Sequence, residues 1–95
     1  MQYILVTYTC KPGQRQAFLD ALNGEGLAAK CRAEDGNIKY DYYFPENGNE
    51  NELFLREIWQ SAEALKAHME MPHFKRIGEV KSLYVDDTEI IKLEG

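Results

Sequence analysis

Residues 57–74, EIWQSAEALKAHMEMPHF, place a carboxylate, an indole and two imidazoles within eighteen positions. The types suggest proton chemistry. An imidazole with an ordinary pKa of about 6.5 can take a proton near neutral pH, so His68 is the candidate general base. Glu57 is the candidate partner, able to hold the imidazole tautomer, and a carboxylate among apolar neighbours is pushed toward a raised pKa. Trp59 offers either core packing or a flat wall against which a ring could stack. His73, just after Pro72, is a second polar wall or a surface residue, and Phe74 beside it adds an apolar one. The histidines are five apart across a proline, which does not fit the i, i+4 pair that grips a metal on one helix face, so no metal is expected. Tyr40, Tyr42 and Tyr43 are ordinary strand filler, but with Trp59 they make an aromatic-rich sheet suited to a flat apolar ligand. No phosphate-binding glycine loop, dinucleotide fingerprint or nucleophile elbow is present.

These residues need elements to hold them. Leu53 to Gln60 reads as a strand, which puts Leu53, Leu55, Glu57 and Trp59 on one face. Ser61 is a helix N-cap and Glu63 suits a first helical turn. The helix that follows carries Ala64, Leu65, His68 and Met69 on one stripe, turned toward the sheet. Pro72 interrupts it, and a second helical piece turns Phe74, Ile77 and Val80 inward. Upstream, Tyr3 to Cys10 reads as a strand ended by Lys11-Pro12-Gly13, and a helix carrying Phe18, Leu19 and Leu22 follows. Leu27 lies nine residues after Phe18, about 180° around a helical wheel, with Gly24 and Gly26 between. A break is expected there, then a second piece from Leu27 to about Ala33 with Cys31 one turn on, and a turn at Asp35-Gly36-Asn37. Ile38 to Phe44 alternates as a strand, with Ile38, Tyr40, Tyr42 and Phe44 on one side, and the polar loop PENGNEN joins it to the next strand as a hairpin. Ser82 to Val85 and Thr88 to Leu93 are strand-like around an irregularity at Asp86-Asp87.

Strand, helix, strand, strand, helix, strand is the order of a ferredoxin-like split βαβ fold, α+β, with a four-stranded antiparallel sheet and its helices on one face. Yet Tyr3-Ile4-Leu5-Val6 and Phe54-Leu55 are apolar at successive positions, hence on both faces of that sheet. A second copy, packed sheet to sheet as a homodimer, is the economical cover for the second face.

The whole chain sets bounds on this. Its 95 residues make one domain, 1–95, and a chain of this length hides only about 60–70% of its unfolded surface. Apolar content of 44% with 28% charged residues is that of a globular protein. The N-terminal apolar run is far short of the roughly 20 residues of a membrane helix and lacks the form of a signal peptide, so a cytoplasmic location is expected and no membrane partner. A formal charge of −5, with 11 scattered basic residues, disfavours nucleic acid. Cys10 and Cys31 lack Cys-x-x-Cys spacing and are expected as free thiols.

Glu57-x-Trp59-x-Ser61, then Ala64-Leu65-x-x-His68 and His73-Phe74, with Arg32-x-Glu34-x-Gly36 and Tyr40 upstream, resembles the antibiotic biosynthesis monooxygenase family in its small quinol-monooxygenase-like branch. The resemblance implies a dimeric α+β barrel. It also implies oxidation of a small quinol, phenol or anthrone-type aromatic by dioxygen with no metal or flavin cofactor. His68 and Glu57 would then be catalytic, and Trp59, Tyr40, Tyr42, His73 and Phe74 would bind substrate. The glycine-interrupted first helix departs from the family pattern. Two other readings stay open. One is an isomerase of a small phosphorylated dicarbonyl, for which Arg56, Lys75 or Arg76 would supply the anion site. The other is a non-catalytic dimer that binds a small molecule. A haem-degrading relative would need an asparagine in the first strand, and Tyr3 to Cys10 has none.

Overall fold

A computed structural model describes residues 1–95. The chain runs β1 (Gln2–Cys10), α1 (Arg15–Gly24), α2 (Leu27–Arg32), β2 (Asn37–Tyr43), β3 (Glu52–Trp59), α3 (Ala62–Met69), α4 (Pro72–Tyr84) and β4 (Val85–Glu94). The strands form one sheet in the order β2-β3-β1-β4, every neighbouring pair antiparallel. This is the ferredoxin-like arrangement expected from the element order.

Strand periodicity decides what each face carries. On the helix side, β1 buries Ile4, Val6, Tyr8 and Cys10, while β3 buries Leu53, Leu55, Glu57 and Trp59. Phe18 and Leu22, one turn apart on α1, and Leu27 and Cys31, one turn apart on α2, close over them, all at most 1% exposed. The break between these helices falls where the glycines stand. α1 ends at Gly24, and Gly26 opens α2 at φ +65°, a left-handed conformation that side chains other than glycine adopt only at a cost.

The other face of the sheet has no helix over it. Leu5, Ile91 and Leu93 point that way and stay 40%, 46% and 53% exposed, with Phe54 and Ile58 half-buried beside them.

Two expectations change. Ser82 to Tyr84 is helical, because Ile77, Val80 and Tyr84 continue one stripe and Tyr84 packs its ring 6.1 Å from Phe18, so packing carries α4 on to the residue before β4. In β2 only Tyr40 and Tyr42 of the expected apolar face point inward. Ile38 falls at a register shift between Asn37 and Lys39 and is exposed, and Phe44 lies past the strand end with the Arg15 guanidinium 4.1 Å above its ring. The irregularity at Asp86 is a bulge, since Thr9 faces Asp87 while Cys10 faces Val85.

Candidate functional site

Glu57 sits in the middle of the sheet, opposite Ile4 of β1 on one side and Tyr40 of β2 on the other. Its side chain rises into the layer between sheet and helices, and only 7% of the residue is exposed. Two positions on, Trp59 is fully buried, and its indole Nε1 donates to Glu57 Oε1 at 3.0 Å. Burial pushes the Glu57 carboxyl above the usual carboxylate range, although the Trp59 hydrogen bond and the nearby His68 pull the other way.

The Ser61 side chain accepts from the Ala64 amide at 3.1 Å and starts α3, which fixes the helix so that Leu65 and His68 face the sheet. His68 is 3% exposed. Its ring lies 4.4 Å from that of Trp59, tilted by 31°, and 5.2 Å from Phe74. Pro72 at the first position of α4 turns the chain directly after α3, so His73 comes alongside, its ring 6.2 Å from that of His68.

The hydrogen bond to His68 comes from a carboxylate that strand and helix periodicity do not single out. Glu34 Oε2 lies 2.7 Å from His68 Nδ1 and 2.8 Å from His73 Nε2. A carboxylate only accepts, so each of these ring nitrogens donates, and neutral His68 carries its lone pair on Nε2. Glu57 Oε1 stands 3.8 Å from that Nε2, beyond hydrogen-bond reach and near enough for charge attraction. The hydrogen bond to His68 expected from Glu57 is made by Glu34. It belongs to the Arg32-x-Glu34-x-Gly36 run, and Gly36, at φ +83°, turns the chain from the end of α2 into β2. Cys31 stands one turn before Glu34, fully buried, and burial pushes its thiol up to about 12. The ligating atoms of Cys31, Glu34, His68 and His73 all lie within 4.8 Å of one another.

Above His68 and Glu57 is a cavity of about 410 Å³, large enough for a small flat molecule. Its floor is Ile4, Val6, Tyr8 and Tyr40; Leu65, Phe74 and Ile77 close it from the helices, and Lys81 and Lys92 stand at its edge. Burial holds the Tyr8 and Tyr40 phenols far above their ordinary pKa, so both remain hydroxyl donors. Of the residues expected to bind substrate, Tyr40 and Phe74 line this cavity. Trp59 does not, because it is sealed behind His68, and neither does Tyr42, whose ring packs edge-on against Tyr40 at 5.9 Å. His73 turns instead to a shallow depression with Glu25, Lys30 and Arg76.

The cations considered for an anion site stand elsewhere. Arg56 is on the outward sheet face, 5.8 Å from the Tyr43 ring, Arg76 is held by Glu25 through two 2.8 Å contacts, and Lys75 is exposed outside the cavity lining. No helix is long and apolar enough to cross a membrane.

Comparison with known proteins agrees with this architecture. Residues 1–80 match the model of a family described as antibiotic biosynthesis monooxygenase. A Bacillus subtilis protein named "Putative monooxygenase YcnE" is 33% identical over 85 residues, covering 88% of this chain and 86% of that protein. The crystal structure of PA3566 from Pseudomonas aeruginosa superimposes with a TM-score of 0.85 at 26% identity, over 99% of this chain and 92% of that one. A conserved protein from Methanosarcina mazei does so with a TM-score of 0.87 at 26% identity, over 98% and 90%. With the family model spanning most of the chain and the fold agreeing from end to end, this protein belongs to the antibiotic biosynthesis monooxygenase family.

Proposed function

We propose that the protein is a monooxygenase that oxidises a small quinol, phenol or anthrone-type aromatic with dioxygen, using no flavin or metal in the chemical step. The observation that carries this reading is the state of one imidazole: His68 has Nδ1 held by Glu34 at 2.7 Å and Nε2 free of any hydrogen bond, beside an apolar cavity of about 410 Å³.

An anthrone bound against Tyr40 and Phe74 would give a proton from its methylene carbon to His68 Nε2. The imidazolium so formed lies between the carboxyl groups of Glu34 and Glu57, which offset its charge. The carbanion is electron-rich enough to pass one electron to dioxygen. Radical recombination forms a C–O bond, and protonation of the peroxide followed by loss of water leaves a carbonyl where the methylene stood. One oxygen atom enters the product and the other leaves as water. The apolar lining keeps bulk water from the intermediates. Trp59 acts from behind, backing the His68 ring and holding Glu57.

Two copies of the chain would pack sheet to sheet through the outward face bearing Leu5, Phe54, Ile58, Ile91 and Leu93. Metal-free protein supplied with a reduced naphthoquinol or an anthrone is expected to consume oxygen faster than the uncatalysed background, and His68→Ala to remove the excess. Equal rates with and without protein would overturn the reading.

A second reading has its own support. Lys81 and Lys92, neither of them in an ion pair, line the cavity edge and suit an anionic substituent, as on a phosphorylated dicarbonyl that His68 would isomerise by moving a proton next to a carbonyl. Isomerisation of such a compound without oxygen uptake, with KM raised by Lys81→Ala, would favour it.

A further inference from the structure

The polar cluster behind His68 has more ligating power than proton chemistry requires. Cys31 and Glu34 stand one turn apart where α2 ends, the Glu34 amide still bonding to the Cys31 carbonyl at 3.2 Å. His68 comes from the last turn of α3 and His73 from the first turn of α4, joined by the tight elbow that ends at Pro72. One soft sulfur, two imidazole nitrogens and one carboxylate oxygen thus converge from three elements, all four atoms within 4.8 Å of one another. The set is that of a tetrahedral borderline-soft ion.

We propose that Cys31, Glu34, His68 and His73 bind one divalent transition-metal ion of the zinc type. In a tetrahedral zinc site with bonds of about 2.0–2.3 Å, neighbouring ligand atoms stand about 3.3–3.8 Å apart. The two Glu34 contacts, at 2.7 and 2.8 Å, are tighter than that, so the carboxylate withdraws by about half an ångström to admit the ion between itself and the rings. Each imidazole then offers a lone pair where it now carries a proton. The thiol proton of Cys31 leaves to solvent, the proton of His73 moves from Nε2 to Nδ1, and that of His68 moves from Nδ1 to Nε2. That Nε2 faces Glu57 Oε1, now 3.8 Å away and itself held by the Trp59 N–H. A carboxylate behind a ligating histidine is the usual outer partner of a metal site, and Glu57, backed by Trp59, needs to close in by less than an ångström to become one. One consequence rests on the oxygenase reading: a bound ion takes the Nε2 lone pair away, and the metal switches oxygenation off.

The test is spectroscopic and needs no turnover. The full chain, stripped with chelator and freed of it, is titrated with Co²⁺. The expected result is one ion per chain, the intense visible bands of a tetrahedral site and a near-ultraviolet sulfur-to-cobalt charge-transfer band, all displaced by Zn²⁺. Cys31→Ser should delete the charge-transfer band, while Cys10→Ser keeps it. His73→Ala, at a part-exposed position and checked for fold by circular dichroism, should weaken zinc binding by at least about tenfold. Absence of the charge-transfer band at saturating cobalt, its persistence in Cys31→Ser, or unchanged zinc affinity in His73→Ala would overturn the site. The spectrum is read without substrate, so loss of the metal site and loss of the oxygenase reading are separate results.

Discussion

His68 Nδ1 and Glu34 Oε2 lie 2.7 Å apart, although the residues are 34 positions apart in the chain. This contact ties the end of α2 to α3 and decides which nitrogen of the imidazole carries its proton. Because the same oxygen also takes the hydrogen bond of His73, Glu34 organises both rings from one point.

Replacing Glu34 with Gln tests that organisation. The amide keeps an oxygen but offers a competing N–H donor, so Nδ1 of His68 is no longer held in the donor state. If the monooxygenase reading holds, kcat falls at least about a hundredfold with a smaller change in KM, and the pH-rate profile moves. A merely structural Glu34 would lower the melting temperature and leave the profile of the surviving enzyme in place.

Glu57 makes stability depend on pH in a definite direction. Its carboxyl pKa is raised by burial, so the stability linked to its protonated form is complete below the unfolded value of about 4.3 and is lost as pH rises through the folded value. Glu57→Gln cannot ionise and still offers an oxygen to the Trp59 N–H. Urea unfolding at pH 4, 6 and 8 should show the variant gaining on the wild type as pH rises. Parallel stability curves would contradict the assignment.

Gly36 holds the turn that delivers β2 next to α3. At φ +83°, a Cβ added there would meet the Ala64 Cβ at 2.6 Å, while its own carbonyl accepts from the Gln60 amide at 2.7 Å. Gly36→Ala should destabilise by about 1–3 kcal/mol or more through backbone strain and overlap. Adding Ala64→Gly should recover the overlap but not the strain, a coupling measurable by chemical denaturation of the four proteins of the cycle.

The outward sheet face is open to a solution measurement. Leu5 and Ile91 are paired across β1 and β4, both exposed and both on the side without helices. Sedimentation of the wild type should report a dimer, and Leu5→Lys with Ile91→Lys a monomer that keeps its far-ultraviolet circular dichroism. A monomeric wild type would remove the sheet-to-sheet assembly.

The sequence by itself determined whatever depends on local period. Alternation placed Glu57 and Trp59 on one face of β3, a 3.6-residue stripe turned Leu65 and His68 toward them, and the Gly24 to Gly26 stretch parted α1 from α2. Such patterns are written within a few residues, because a strand repeats every two and a helix every three to four. Tertiary structure alone decided the rest. That Glu34 rather than Glu57 bonds His68, that Cys31 and His73 join the same cluster, and that Trp59 stands behind the cavity all depend on how α2, α3 and α4 meet over the sheet. Packing of elements distant in sequence sets those distances to within an ångström, and hydrogen bonding and metal binding are sensitive on that scale, whereas periodicity says only which side a residue faces.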